Sequence, residues 1–346
     1  MKKPKIVFVC NTTGSRLWRV NPIARYLLNT KKWDVRIMES KAYLHEAIDW
    51  ADIAVLQMVF DKRIFERAKK NNTKIVFELD DLIHWVPDDH YAKDDMGLNR
   101  TFWVFWAIRN ADAVTLTNDY LKKKYDKIRI GKDKCHIFPN YVDPEVWAFP
   151  PVKNASDKVR IGYCGGLSHV DDLKMIIRPF KKILKGDKVK LINVAAGGTT
   201  FDDPIKGAYY PVDVFKDLPQ HKKEFIEGVN MNAWPGLLNS LALDIGLAPL
   251  LNNKFTQAKT PIKWMEYSIN KISTVCSQFM YGKIVEDGVT GFLANSEEEW
   301  QEKTERLIKD KKLRQKMGET AYQEVLANHD VNKHLHEWYD LYSSLL

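Results

Sequence analysis

Lys259 and Lys263 stand four residues apart and Glu266 three further on, in Lys259-Thr260-Pro261-Ile262-Lys263-Trp264-Met265-Glu266-Tyr267. Just upstream, Asp244-Ile245-Gly246-Leu247-Ala248-Pro249-Leu250 is an apolar run that reads as a buried strand and its exit loop. Thr260 is placed to cap a helix opening at Pro261, where proline gives up only an amide without an intrahelical partner. Lys259 then stands just before a helix N-terminus, whose open N–H groups and dipole favour an anion. Lys263 lies one turn inside, with Glu266 on the same face. Two ammonium groups and a helix mouth suit a diphosphate, and a carboxylate one turn deeper suits two sugar hydroxyls. That describes a nucleotide-sugar site. The same spacing also occurs on ordinary solvated helix faces. Its position favours the site, because open α/β sheets bind ligands at the carboxyl ends of their strands.

Other segments carry candidate chemistry. Asn11-Thr12-Thr13-Gly14-Ser15-Arg16 follows the first apolar run; Gly14 permits close backbone approach, and Arg16 or Arg19 could meet phosphate or acceptor. Gly-x-Gly-x-x-Gly is absent, so there is no dinucleotide fingerprint. Glu78-Leu79-Asp80-Asp81 ends another run, and Asp80 or Asp81 suits either a helix cap or a cleft position facing the reacting sugar or acceptor. His84 reads as structural. Phe102-Trp103-Val104-Phe105-Trp106-Ala107-Ile108-Arg109 reads as helix core, with a face dipping into a membrane interface, or stacking on a sugar or base, as alternatives.

Elements able to position these residues are present. The chain has 346 residues, comfortable for two domains, with 45% hydrophobic and 28% charged residues, as in globular proteins. Apolar runs at Ile6 to Cys10, Val35 to Met38, Ile53 to Gln57, Ile75 to Glu78, Ala113 to Thr117 and Cys135 to Phe138 alternate with helical patterns such as Pro22 to Leu28. A second series runs through Val159 to Tyr163, Lys190 to Val194, Asp244 to Ala248 and Ser273 to Val275, and the pattern is helical from Glu297. Pro139, Pro144, Pro150 and Pro151 mark the linker. The alternation predicts two α/β domains, each a doubly wound parallel sheet, with a cleft between them. They span 1–152 and 153–328, and a C-terminal helix at 329–346 packs back on the first.

No apolar run reaches the roughly 18 residues of a membrane span, and Met1-Lys2-Lys3-Pro4 leads into a first strand, not a signal peptide. Cys10, Cys135, Cys164 and Cys276 lie far apart, which argues for a reducing cytoplasm and against a disulfide scaffold or zinc site. A net charge of +8 suits nucleotide phosphates, an anionic membrane surface or nucleic acid.

Several segments together resemble a family, the retaining GT-B glycosyltransferases of the family 4-like, or glycosyltransferase group 1, type. Phe138-Pro139-Asn140-Tyr141-Val142-Asp143 is similar to its Pro-Asn-Gly-Val-Asp signature, with Tyr141 for glycine. Gly162-Tyr163-Cys164-Gly165-Gly166, with His169 and Asp172 after it, resembles the first phosphate-facing loop of the donor domain. Trp234-Pro235-Gly236-Leu237-Leu238 through Leu250 resembles the strand before the donor site. Lys259 to Tyr267 resembles the donor helix, and Gly288-Val289-Thr290-Gly291-Phe292-Leu293 the turn after it.

The resemblance implies transfer of a sugar from a nucleotide-diphosphate sugar to an acceptor hydroxyl, with retention, without a catalytic metal and without a cofactor. Asp80 and Asp81 are then cleft residues, not metal ligands. Gly14, Gly165, Gly166, His169, Lys259, Thr260, Lys263 and Glu266 bind the donor, with Lys259 on the leaving phosphate and Glu266 on the ribose. Acceptors open to such an enzyme are a glycan, a lipid-linked glycan, a protein or modified DNA, in the cytoplasm or at the inner face of the membrane. One departure stands out: the family's Glu-x7-Glu pattern puts its first glutamate on Ala258. That departure leaves a non-catalytic nucleotide-sugar-binding module as one alternative; nucleotide-sugar 2-epimerases, which share the fold, are the other, although Ala258 and the lysine-rich helix fit them poorly.

Overall fold

Near-continuous runs of β-branched and apolar residues form strands buried on both faces, as parallel sheets require. The computed structural model describes residues 2–10, 13–38, 44–85, 98–147, 149–165, 170–195 and 218–346. The first sheet consists of β1 (Lys5–Cys10), β2 (Asp34–Met38), β3 (Ile53–Gln57), β4 (Lys74–Leu79), β5 (Ala113–Leu116) and β6 (His136–Ile137), in the order β2-β1-β3-β4-β5-β6; the inner strands are the buried ones, and edge strand β2 is mostly exposed. Every pairing is parallel, and Phe8 lies opposite both Ile37 and Val55.

The core of this unit joins Ile6, Phe8, Leu27, Val55 and Val76 to Trp338 and Tyr342 of the helix Leu335–Ser344. Phe8 meets Tyr342 edge-on at 6.1 Å, and Phe138 lies 4.5 Å from Trp338 between ring centres. The unit takes in the chain up to Asp143, together with Gln257–Thr260 and Val331–Leu346. The aromatic helix Leu98–Asn110 buries only one side: Val104, Ala107 and Ile108 are enclosed, while Phe102 is 59% exposed.

The second unit comprises Pro144–Thr256 and Pro261–Asp330. Its strands are β7 (Val159–Gly165), β8 (Val189–Ala195), β9 (Lys223–Glu227), β10 (Ile245–Ala248), β11 (Ser273–Ser277) and β12 (Phe292–Ala294), ordered β12-β11-β10-β7-β8-β9 and all parallel. The two sheets are the doubly wound pair the sequence pattern predicts. Two strands escaped that reading. β9 is a charged edge strand without an apolar run, and β12 has only three residues. The stretch from Trp234 is a helix, Trp234–Ser240, opened by Pro235; the strand expected there begins only at Ile245. Gly246 is required by close packing, since a Cβ there would lie 2.5 Å from the Tyr267 ring.

Candidate functional site

Each sheet reverses direction at one place, where ligands of open α/β sheets collect outside the strand ends. In the first sheet the reversal lies between β1 and β3; in the second, between β7 and β10.

At the first reversal the strand ends carry a polar network. The Asp80 carboxylate, just past β4, accepts from the Ser15 hydroxyl at 2.6 Å and from Gln57 Nε2 at 3.1 Å. Gln57 Oε1 in turn accepts from the Cys10 thiol at 3.5 Å, so β1, β3 and β4 are linked across their ends. Burial holds the Asp80 carboxyl above its usual range, against the pull of the Ser15 hydrogen bond and with the charge of Asp81 adding to the rise. Asp81 pairs with Lys259 Nζ at 2.5 Å, both side chains mostly shielded from solvent. The two carboxylates and the lysine singled out as catalytic are therefore neighbours within one unit.

Thr260 behaves otherwise than its spacing suggests. Its hydroxyl accepts from Asn140 Nδ2 at 2.9 Å, and the helix starts only at Ile262, with Pro261 at ψ +36° in the cap position and no side-chain cap bond. Engagement by Asn140 takes the hydroxyl away from capping. Ala258 is fully buried in the short turn Thr256–Ala258, and its carbonyl accepts from Asn118 Nδ2 at 2.7 Å.

Arg19 is also corrected. It lies in a π-helical turn, Arg16–Val20, and its side chain is buried against Glu78 at 3.2 Å and on the carbonyls of Phe138 and Pro139. Burial raises the Glu78 pKa even so. Arg19 thus braces the turn instead of reaching a ligand. Gly14 sits in the turn Thr13–Ser15 with open space where a Cβ would stand, so close packing does not require it. His84 Nδ1 lies 2.9 Å from the Tyr125 hydroxyl, and burial lowers its pKa to about 4, which makes it a neutral structural histidine.

At the second reversal Tyr267 fastens β7 to β10. Its hydroxyl accepts from Cys164 N at 3.2 Å and lies 3.4 Å from the carbonyls of Gly162 and Leu247. Asp172 accepts from Leu251 N at 2.7 Å and Ser277 from Leu250 N at 2.8 Å, which fixes the loop leaving β10.

The helix Ile262–Ile269 then carries Lys263 and Glu266. Glu266 is buried and accepts from Trp234 Nε1 at 2.9 Å. Burial pushes its carboxyl up to about 7, against the opposing Lys263 charge and the Trp234 hydrogen bond. Lys263 Nζ lies 5.8 Å from the centre of the Tyr163 ring. Gly165 ends β7; Gly166 and His169 lie outside the described residues.

Sequence reasoning missed Ser15, Gln57, Tyr163 and Trp234 as site residues. The available signal was a polar residue closing an otherwise apolar strand, as Gln57 does. Among the described residues no three His, Cys, Asp or Glu side chains gather as a metal set, and no helix is long and apolar enough to cross a membrane.

Residues 147–324 match the family model described as glycosyl transferases group 1. Over 169 residues, 46% of this chain, the sequence is 26% identical to TuaH of Bacillus subtilis (strain 168), a glycosyltransferase assigned to teichuronic acid biosynthesis; the match takes in 38% of that relative's length. Sucrose-phosphate synthase from Thermosynechococcus elongatus superposes with a TM-score of 0.70 at 11% identity, over 99% of each chain. Anabaena Alr3699/HepE, solved with UDP and glucose, superposes with a TM-score of 0.68 at 13% identity, over 99% of this chain and 100% of that one. At such identities the structural likeness speaks for the fold, which is GT-B. With its second unit matched almost from end to end, the chain belongs to the glycosyl transferases group 1 family.

Proposed function

We propose that the protein transfers a sugar from a nucleotide-diphosphate sugar to an acceptor hydroxyl, with retention at the anomeric carbon and without a catalytic metal. The observation that carries this reading is Glu266, a buried carboxyl beside the strand reversal of the family-matched unit, one helical turn beyond Lys263. A carboxylate held by one indole N–H keeps its second oxygen for a ribose diol, and bonds to a charged acceptor are the strong ones. Lys263 meets the diphosphate.

As the bond from the anomeric carbon to phosphate oxygen breaks, negative charge grows on the departing phosphate, and Lys259 stabilises it. Preorganised charge of this kind is worth about 3–4 kcal/mol of barrier. The acceptor oxygen bonds to the anomeric carbon, and its proton passes to the departing phosphate. Asp80, fixed by Ser15 and Gln57, orients the acceptor. The likeness to HepE makes UDP-sugars the first donors to try, and that to TuaH favours an acceptor from teichuronic acid biosynthesis. The exposed Phe102, with Arg109 two turns on, supports contact with the inner membrane face, and buried thiols at Cys135, Cys164 and Cys276 suit a cytoplasmic protein.

One observation favours a second reading, a binding module without turnover. Buried Ala258 leaves no carboxylate where the family pattern has its first glutamate. Incubation of the protein with labelled nucleotide sugars and an acceptor panel separates the two. Acceptor-dependent release of nucleoside diphosphate supports the transferase. Tight nucleotide binding with no release for any pair would leave the module.

A further inference from the structure

Tyr163 on β7 and Tyr267, which reaches the backbone of the same strand, both lie at the second reversal, and among the described residues only Tyr267 has its hydroxyl occupied. Tyr267 bridges three backbone groups, whereas the Tyr163 hydroxyl, on a side chain 1% exposed, is enclosed without a hydrogen-bond partner among the described residues. Buried polar groups are normally paired, so an unspent donor calls for a cause.

The surroundings of Tyr163 point to one. A Cβ on Gly165 would collide with the Tyr163 hydroxyl and lie 2.8 Å from its Cζ, so glycine at this position makes room for the phenol beneath the end of β7. That end lies at the strand reversal. Lys263 stands over the same ring, with Nζ 5.8 Å from its centre. Asp172, whose charge acts on the phenol, accepts from Leu251 N. Other enclosed groups without a partner, such as Trp300 Nε1 and the Tyr342 hydroxyl, do not sit at the end of a central strand beside a lysine.

We propose that the Tyr163 hydroxyl donates to the diphosphate of the nucleotide donor, with Lys263 supplying the cation on the same side. This rests on the donor-site reading above and adds a residue to it. Burial holds the phenol protonated far above its ordinary range, so it stays a donor throughout the physiological span.

The test is Tyr163→Phe, which removes one oxygen and keeps the ring, with UDP and uridine titrated calorimetrically into variant and wild type. The expected result is a UDP dissociation constant raised roughly tenfold to a hundredfold, as for loss of a hydrogen bond to a charged group. Uridine affinity should stay unchanged, and the ligand-free variant should melt no lower than wild type, because an unsatisfied buried hydroxyl has gone. Equal UDP affinity in the two proteins would overturn the inference and leave the hydroxyl to a trapped water. Equal losses for UDP and uridine would overturn it too, as a packing effect. If wild-type protein binds neither UDP, ADP nor GDP, the donor-site reading itself falls, a failure visible before the variant is made.

Discussion

The carboxyl ends of the two sheets are built on opposite plans. In the first unit the charged groups already hold polar or charged partners: Asp80 has Ser15 and Gln57, Asp81 has Lys259, and Glu78 has Arg19. In the second unit, among the described residues, the Glu266 carboxyl accepts from Trp234 alone and its pKa is pushed up to about 7, and the Tyr163 hydroxyl has no partner. Buried polar groups are costly unless paired. A network that closes on itself holds its groups in place before any ligand arrives. A set left short of partners is stabilised by what binds there. The first arrangement suits orientation of a reacting group, and the second suits capture of a nucleotide.

The largest expected effect tests whether Lys259 acts in the reaction or only balances Asp81. Lys259→Ala should lower kcat about a hundredfold to a thousandfold with little change in UDP affinity. Unchanged turnover in steady-state assays would reduce Lys259 to an ion-pair partner. Next, Lys263→Ala should weaken UDP roughly tenfold to a hundredfold and leave uridine alone; an equal loss for both would point to a disturbed helix.

On the side of the closed network, Ser15→Ala removes a hydrogen bond to a carboxylate. It should cost about 1–3 kcal/mol of stability, measured by urea unfolding, while UDP affinity holds. A fall in UDP affinity would erase the contrast between the two sheets.

The smallest expected change is in the pH dependence of binding. Burial pushes the Glu266 carboxyl up to about 7 from its ordinary 4.5, so the folded protein binds more protons between those values and loses stability as pH rises through that window, by about 3 kcal/mol in all. A ribose diol donates to the ionised form. UDP affinity should therefore rise a few-fold more between pH 6 and 8 in wild type than in Glu266→Gln. Parallel profiles would show that Glu266 does not meet the ligand.

Much of this was legible in the sequence because parallel strands are buried on both faces and announce themselves as apolar runs. Ile53–Gln57 was readable to the residue for that reason. β9 was not, since Lys223, Glu224 and Glu227 break the run on an edge strand. Lys263 and Glu266 were legible from helical spacing, a local property. Thr260 misled, because its hydroxyl is taken by Asn140, 120 residues away in sequence. Arg19 misled for the same kind of reason: its partner Glu78 lies across the sheet. The roles of Ser15, Tyr163 and Trp234 depend on such distant neighbours, whereas Gln57 was marked locally, as a polar residue closing an apolar strand.

The proposed nucleotide site at Glu266 is best probed by thermal unfolding of wild type and Glu266→Ala across a panel of nucleoside diphosphates and their sugars. A ligand at about 100 times its dissociation constant should add roughly 2.7 kcal/mol of stability. The expected result is a selective upward shift for one base in wild type that is lost in Glu266→Ala. No shift with any nucleotide, or a shift that survives the substitution, would contradict it.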